Sequence, residues 1–271
     1  MEKLGIFIIV LFFTSCAMMQ NILHQDKKNN VLASYKKMED RDYLMHLSAL
    51  GDHYLQTPGV KNLKLSKESL NYLTSIYMKL TLENELYYTK KIKPSFYIIE
   101  SKTPFTFSLP NGKFFFSSEL IHKYLKHEDI LISVLSAEIF RVQYEIYGRK
   151  SVVSVGYIDT ERLLSLLRLS EKNQTEIDKW AFYTMKRAGY DAIAYLSWLQ
   201  IQNRNSMDFI LQHGGDTQKI SRQEFIFKKF IVEQGISNDD AQRFERRSSV
   251  DFYNFKKELT RVGYGSKNER E

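Results

Sequence analysis

The residues best placed to do chemistry lie between His127 and Lys150, in the sequence HEDILISVLSAEIFRVQYEIYGRK. At the helical step of about 100° per residue, this stretch divides into an apolar face and a neighbouring face that carries charge. The apolar face holds Leu131, Leu135, Ile139, Val142 and Ile146, and the charged face holds Val134, Ala137, Glu138, Arg141 and Glu145. We therefore predict one long helix, begun by acidic residues and stopped near Gly148, that presents carboxylate and guanidinium groups side by side.

The segment VLSAEIFRVQ resembles the VLAHEIAHV helix of the zinc metallopeptidase family that includes HtpX, the CAAX prenyl proteases and periplasmic proteases of outer-membrane assembly. In that family the helix carries H-E-x-x-H, whose two histidines bind one zinc ion while the glutamate deprotonates the metal-bound water. Here the motif reads A-E-I-F-R, so Ala137 and Arg141 stand at the histidine positions and only Glu138 remains, as a vestigial base. Alanine has no donor atom and a guanidinium has no lone pair, so the resemblance implies a dismantled metal site.

Further segments extend this resemblance over about Leu70 to Lys219. The stretch that ends in RAGYDAIAYL resembles the family's second signature, with Asp178 at the signature aspartate and Gln174 at the position of the zinc-binding glutamate. LQHGGDTQKI resembles a third segment: His213 matches a histidine that lies near the active site in relatives, a glycine replaces the usual proline, and Lys219 stands at an arginine position. We therefore expect no cofactor, where the resembling family binds zinc.

The β part of the chain is predicted between Pro94 and Ile121. SFYIIE has the composition of a short strand, and Asn111-Gly112 between SLP and KFFFSS is a strong hairpin signal. FTFSLPNGKFFFSSELI also resembles the family segment in which one strand edge receives the substrate peptide by β-addition. The fold class that we predict is α+β: a mostly helical, zincin-like metallopeptidase fold with a small sheet and hairpin beside the former active-site helix.

Loss of a zinc dication leaves Glu138 and Asp178 as acids without a counter-charge in a partly buried cleft, which is costly. We predict that Arg141 offsets this cost as a structural bridge to Asp178, to Glu138 or to both. One alternative is that Arg141 points into solvent. Another is a metal site rebuilt from Glu138, Asp178 and His213, since zinc catalysis needs three good ligands and an open position.

The first 16 residues, MEKLGIFIIVLFFTSC, contain an apolar run that is too short to span a bilayer of about 30 Å and has the length of a signal-peptide core. Thr14, Ser15 and Cys16 resemble the end of a bacterial lipobox, in which the cysteine is lipidated. An ordinary signal peptide with a chance cysteine is the alternative. The predicted organisation is a signal peptide (1–15), a lipidated flexible tether (16–30), a metallopeptidase-like domain (31–235) and a C-terminal helical and polar tail (236–271).

Composition narrows the classes of partner. The chain has 271 residues, 43% of them hydrophobic, which is enough for a full globular core. Its formal charge of +7 comes from lysines and arginines that are spread along the chain and interleaved with acids. This distribution argues against a nucleic-acid partner and is compatible with a place beside anionic lipid. Cys16 is the sole cysteine, so an intramolecular disulfide is excluded.

Two functions remain open from the sequence. The first is a non-catalytic factor of the bacterial cell envelope, lipid-anchored on the periplasmic side, at the outer membrane rather than the inner, that holds an extended peptide or an envelope protein in its cleft. The second is an active metalloendopeptidase with an atypical site, or a metal-free hydrolase that uses Glu138 with His213. A G-x-S-x-G nucleophile motif is absent from the sequence.

Overall fold

The computed structural model describes residues 40–148, 157–235 and 248–268. The chain divides into two units, Met1–Tyr43 and Leu44–Glu271. The predicted signal peptide, Cys16 and the predicted tether lie outside the described residues. The second unit holds the sheet, the hydrophobic core and every side chain on which the candidate site depends.

The described chain is mixed α+β and mostly helical with one small sheet, as the sequence predicts. The helices are α1 (Asp40–Leu55), α2 (Lys67–Leu82), α3 (Glu128–Gln143), α4 (Thr160–Leu167), α5 (Glu171–Arg187), α6 (Ala194–Arg204), α7 (Ile210–His213), α8 (Thr217–Glu233) and α9 (Val250–Asn268). The strands are β1 (Asn62–Leu63), β2 (Ser95–Ile99), β3 (Thr106–Leu109) and β4 (Lys113–Ser117), and a π-helical turn covers Leu120–Tyr124. Within the described ranges, no helix has both the length and the apolar character needed to cross a membrane.

The four strands form one sheet in the order β1-β2-β4-β3. β2 and β4 run parallel, and the other two pairs are antiparallel. The predicted hairpin is confirmed: Leu109 pairs with Lys113, and Asn111 and Gly112 in the loop between them have φ angles of 65° and 75°. A Cβ on Gly112 would lie 2.5 Å from the side chain of Ile92, so this position requires glycine both for its backbone and for its space. The order of strands leaves β3 at one edge of the sheet.

Helix α3 is the buried centre of the fold. Nearly all its residues from Ile130 onward are buried, and it packs against α5, α6 and β3. It ends at Gln143, well before the predicted stop near Gly148, because Glu145 adopts a left-handed φ of 53°. The amide of Ile146 then donates to the carbonyl of Arg141 at 3.0 Å, and that of Glu145 to Val142 at 3.3 Å, which is the hydrogen-bond pattern of a Schellman motif.

The C-terminal helix α9 belongs to the core. Phe252, Phe255 and Leu259 are buried within the same hydrophobic cluster as α2 and α3. The compact unit therefore extends beyond residue 235, where the sequence placed the start of a polar tail. Phe252, Phe255 and Leu259 have the spacing of one face of a helix. This apolar face explains why the helix packs against the core.

Two carboxylates join α9 to the starts of α2 and α3. Glu258 accepts hydrogen bonds from the backbone amide of Ser66 at 2.5 Å and from the hydroxyls of Ser66 and Ser69. Ser66 is itself the N-cap of α2, since its hydroxyl accepts from the Ser69 amide. Glu128, in the first turn of α3, accepts from the amide and the hydroxyl of Ser249, both at 2.7 Å. Helix starts that are distant in sequence are thus fixed by side chains of other elements.

Candidate functional site

A cavity of about 210 Å³ lies between α3, the edge strand β3 and the helices from α4 to α8. Except for Asp178, which is not part of the lining, the described side chains that the sequence singled out converge on it from four helices. Its lining includes Ala137, Glu138 and Arg141 of α3, Gln174 of α5, His213 of α7 and Lys219 of α8. Of the predicted charged face of α3, only Glu145 lies elsewhere, in an ion pair of 2.6 Å with Lys90. The helix ends before Glu145, which explains why that residue leaves the face.

Glu138 is 5% exposed and has two partners on one oxygen. The Ser108 hydroxyl of β3 donates to Glu138 Oε2 at 2.6 Å, and Arg141 Nη1 lies 3.5 Å from the same atom. The Arg141 side chain is only 11% exposed. The predicted ion pair between Arg141 and Glu138 is therefore found, and the alternative in which Arg141 points into solvent is wrong.

Asp178 is 2% exposed and lies against the cavity wall, where neutral groups bind it. Its carboxylate accepts from the hydroxyl of Tyr195 at 2.7 Å, from the amide of Gln174 at 3.0 Å, and from the amide of Gln223 at 2.8 and 3.0 Å. Burial raises the pKa of Asp178 to about 6, against the lowering effect of these donors and of the Arg141 charge.

The predicted bridge between Arg141 and Asp178 is not formed in the described part of the chain. Arg141 lies next to Glu138 on its own helix, and the Asp178 carboxylate is already surrounded by Tyr195, Gln174 and Gln223. The physical reason is that several neutral hydrogen bonds satisfy a buried carboxylate without the cost of burying a second charge beside it. Arg141 acts on Asp178 only through its field, which lowers the pKa of the carboxyl.

His213 is the last residue of α7 and binds a buried amide. Its Nε2 lies 2.7 Å from Oε1 of Gln202, so the ring donates its N–H when Nε2 carries the proton. Burial, together with the positive charges of Lys219 and Arg168, lowers the pKa of His213 to about 4. The imidazole is therefore neutral near pH 7.

The donor set does not fit zinc. The three positions that hold the ligands in the resembling family carry a methyl group, a guanidinium and an amide whose nitrogen donates to Asp178. A protonated Arg141 beside Glu138 also opposes a cation electrostatically. In residues 40–148, 157–235 and 248–268, no three His, Cys, Asp or Glu side chains form a group that could hold a metal ion. We therefore derive no chemistry through zinc from these residues.

The outward edge of β3 is partly occupied by a glutamine side chain. The backbone carbonyl of Phe105 accepts a hydrogen bond from the amide of Ser117 in β4. In an antiparallel pair, the backbone groups of successive residues point alternately toward and away from the partner strand, so those of Thr106 point away from β4. Both of those groups bind Gln212 of α7. The Thr106 amide donates to Gln212 Oε1 at 3.3 Å, and Gln212 Nε2 donates to the Thr106 carbonyl at 3.2 Å. The Gln212 amide thus makes the two hydrogen bonds that one residue of an added strand makes.

Sequence reasoning missed Ser108, Gln212 and Arg168, all of which contact or line the site. None of them stands out in the sequence: Ser108 fits the alternation of polar and apolar residues in β3, whose sequence is TFSL. As described, the site is a charged, concave cleft beside a strand edge, with a neutral imidazole and an ion-paired carboxylate. No model of a known protein family matches the chain, and a search of the curated proteins gives no match.

Proposed function

We propose that this protein is a non-catalytic, peptide-binding relative of the HtpX and CAAX-protease metallopeptidases. The observation that carries this proposal is the composition of one cavity wall. Glu138 is still there, whereas the three positions for metal ligands hold Ala137, Arg141 and Gln174. A cleft of this kind keeps its concave shape and its polar lining but lacks the donors for a catalytic metal.

The edge strand β3 supports an extended peptide as the ligand. β3 lies at the margin of the sheet and contributes Thr106 and Phe107 to the cavity lining. The backbone groups of Thr106 already bind an amide in the form of Gln212. The residues of β3 are buried, so a peptide would take the place of Gln212 at this edge. Extended peptides bind sheet edges through such main-chain hydrogen bonds, while pockets beside the strand select alternate side chains.

The proposed setting is the bacterial cell envelope. Cys16 and the apolar segment before it support lipid attachment on the periplasmic side, at the outer membrane rather than the inner. There the protein would hold extended segments of envelope proteins during their quality control, by analogy with the resembling proteases. Neither a nucleic acid nor a cofactor is part of this proposal.

The first experiment measures metal and proteolysis together. The purified protein is loaded with zinc, its metal content is determined by mass spectrometry, and cleavage of casein is assayed in parallel. We expect sub-stoichiometric zinc and no casein cleavage above that of a Glu138→Gln variant. We also expect wild type and Glu138→Gln to bind an unfolded, fluorescently labelled casein fragment with similar affinity.

An active metalloendopeptidase with an atypical site is the second candidate, because Glu138 and His213 line the same cavity. This candidate predicts stoichiometric zinc, cleavage that a chelator abolishes, and loss of cleavage in Glu138→Gln. A metal-free hydrolase predicts cleavage that a chelator leaves intact and that Glu138→Gln and His213→Gln both abolish. Either pattern would overturn the binding proposal.

A further inference from the structure

In the described part of the structure, some charged side chains around the cavity have an oppositely charged neighbour, and others do not. Those that line it are Arg141, Arg168, Lys219, Glu138 and Glu171. Glu138 is paired with Arg141 as described above. Glu171 lies 3.9 Å from Arg222, which also approaches Asp216 at 3.6 Å. Among the described residues, no acidic side chain is therefore in contact with Arg168 or Lys219, and this end of the cavity has an excess of positive charge.

Arg168 is held in place without an acid. Its Nη2 donates to the carbonyl of Leu211 at 3.0 Å, and its Nε is buried without an acceptor in the part of the chain that the structure describes. A Cβ on Gly214 would lie 2.9 Å from Nε, Nη1 and Cζ of Arg168, so the guanidinium rests directly against the backbone of that glycine. The Arg168 guanidinium has five N–H donors and prefers a planar anionic partner, but within the described residues it is held only by packing and by one carbonyl.

Lys219 and Arg168 act on the same part of the cavity. Lys219 is exposed in the first turn of α8 and lines the same cavity as Arg168 and His213. The positive charge of each cation lowers the pKa of His213. Arg141 also has a buried Nε that lacks an acceptor among the described residues. Buried cationic donors without acceptors are costly in a free protein, and a bound anion relieves that cost.

We propose that this end of the cavity, lined by Arg168, Lys219 and His213, binds the carboxylate of a ligand. A guanidinium pairs with a carboxylate in a planar, two-bond geometry, and an ammonium beside it adds a second charge-assisted bond. The inference rests on the proposed peptide-binding function and names the group that the cleft selects. The carboxylate comes from the C-terminus of the peptide or from a glutamate side chain within it.

The test compares three acetylated probes with the full-length protein in detergent: tetra-alanine as the free acid, tetra-alanine as the amide, and Ala-Ala-Glu-Ala as the amide. Binding is followed by NMR through the Nε–H signals of the arginines. We expect the free acid or the glutamate peptide to bind at least about tenfold more tightly than the tetra-alanine amide, and to shift the Arg168 signal. The arm that binds identifies the source of the carboxylate.

Two variants locate the effect. Arg168→Gln and Lys219→Gln should each remove most of the preference for a carboxylate; Lys219 is exposed, so its replacement tests the site without risk to folding. Lys229→Gln is the matched control, because Lys229 lies on the same helix, has a side chain that is 70% exposed, and is outside the cavity. In that variant the preference should be unchanged.

The outcomes separate this inference from the function on which it rests. Equal affinity for acid and amide peptides overturns the carboxylate site and leaves peptide binding intact. A further titration uses acetate ion alone. Perturbation of the Arg168 signal by acetate, without binding of any peptide, supports the carboxylate site and overturns the peptide-binding function. A preference for the acid that persists in both Arg168→Gln and Lys219→Gln places the carboxylate elsewhere and overturns the inference.

Discussion

Replacement of Arg141 by methionine should destabilise the protein through the charge that remains on Glu138. At 3.5 Å the pair of Arg141 and Glu138 has a Coulomb energy of about 5 kcal/mol at an effective dielectric constant of about 20. Part of this is offset because Arg141 no longer has to be desolvated and because Ser108 still donates to Glu138 at 2.6 Å. We therefore expect a loss of about 2–4 kcal/mol in the free energy of unfolding, or a fall in Tm on the order of 10 °C.

The assay is a double-mutant cycle in urea with wild type, Arg141→Met, Glu138→Gln and the double variant. The double variant should be more stable than Arg141→Met, because it removes the unpaired buried charge. Lys179→Met is the matched control: Lys179 lies 3.6 Å from Glu176 with the same spacing of three residues, but the pair is much more exposed and should contribute about 0.5 kcal/mol or less. If the effects of Arg141→Met and Glu138→Gln simply add, the ion pair does not stabilise the wall of the cavity and the reasoning fails.

The remaining predictions concern pH, the strand edge and the hairpin. Folding raises the pKa of Asp178 from 3.8 to about 6, so its contribution to the free energy of unfolding falls as pH rises from about 4 to 6, by about 3 kcal/mol. His213 has the opposite sign: folding lowers its pKa from 6.5 to about 4, so stability is lost as pH falls through that window, by a similar amount. The free energy of unfolding, measured in urea between pH 4 and 6.5, should therefore depend little on pH in wild type. It should fall as pH rises in His213→Gln and rise as pH rises in Asp178→Asn. Parallel curves for all three proteins would refute both shifts. Gln212→Ala should raise the affinity for a labelled casein fragment about three- to tenfold, because it frees one backbone donor and one backbone acceptor on β3. An unchanged or lower affinity would show that peptides do not bind this edge. Gly112→Ala should lower the free energy of unfolding by about 2–4 kcal/mol in thermal or urea unfolding. Gly59 also has a positive φ, but no atom lies within 4 Å of an added Cβ, so Gly59→Ala should cost only about 1 kcal/mol. Equal losses would mean that the crowding at Gly112 is unimportant.

The parts of the fold that the sequence predicted depend on local signals. Asn111-Gly112 defines its own turn, because both residues adopt the positive φ angles that a tight hairpin requires. The convergence of Ala137, Glu138 and Arg141 on one cavity follows from helical geometry alone, since they lie one and four residues apart. Features of this kind can be predicted because they depend only on residues that are close in the sequence.

The parts that were missed depend on contacts between residues far apart in the chain. Gln212 binds Thr106 across 106 positions, and Ser108 binds Glu138 across 30. The partner of Asp178 was assigned to Arg141 because sequence offers charges but not the three neutral donors that the fold brings to the carboxylate. The stop of α3 was missed because a glutamate, not a glycine, adopts the left-handed conformation at its end.

The late position of α9 in the chain has a consequence for how the protein folds. Its buried phenylalanines complete the hydrophobic core, and the two carboxylates Glu258 and Glu128 join its residues to the starts of α2 and α3. These contacts span 121 to 192 positions, so they form only after α9 has been synthesised, and closing loops of that length costs conformational entropy. A chain that stops before Val250 therefore has an open core, so the synthesis of α9 sets the earliest time at which this unit can reach its native state.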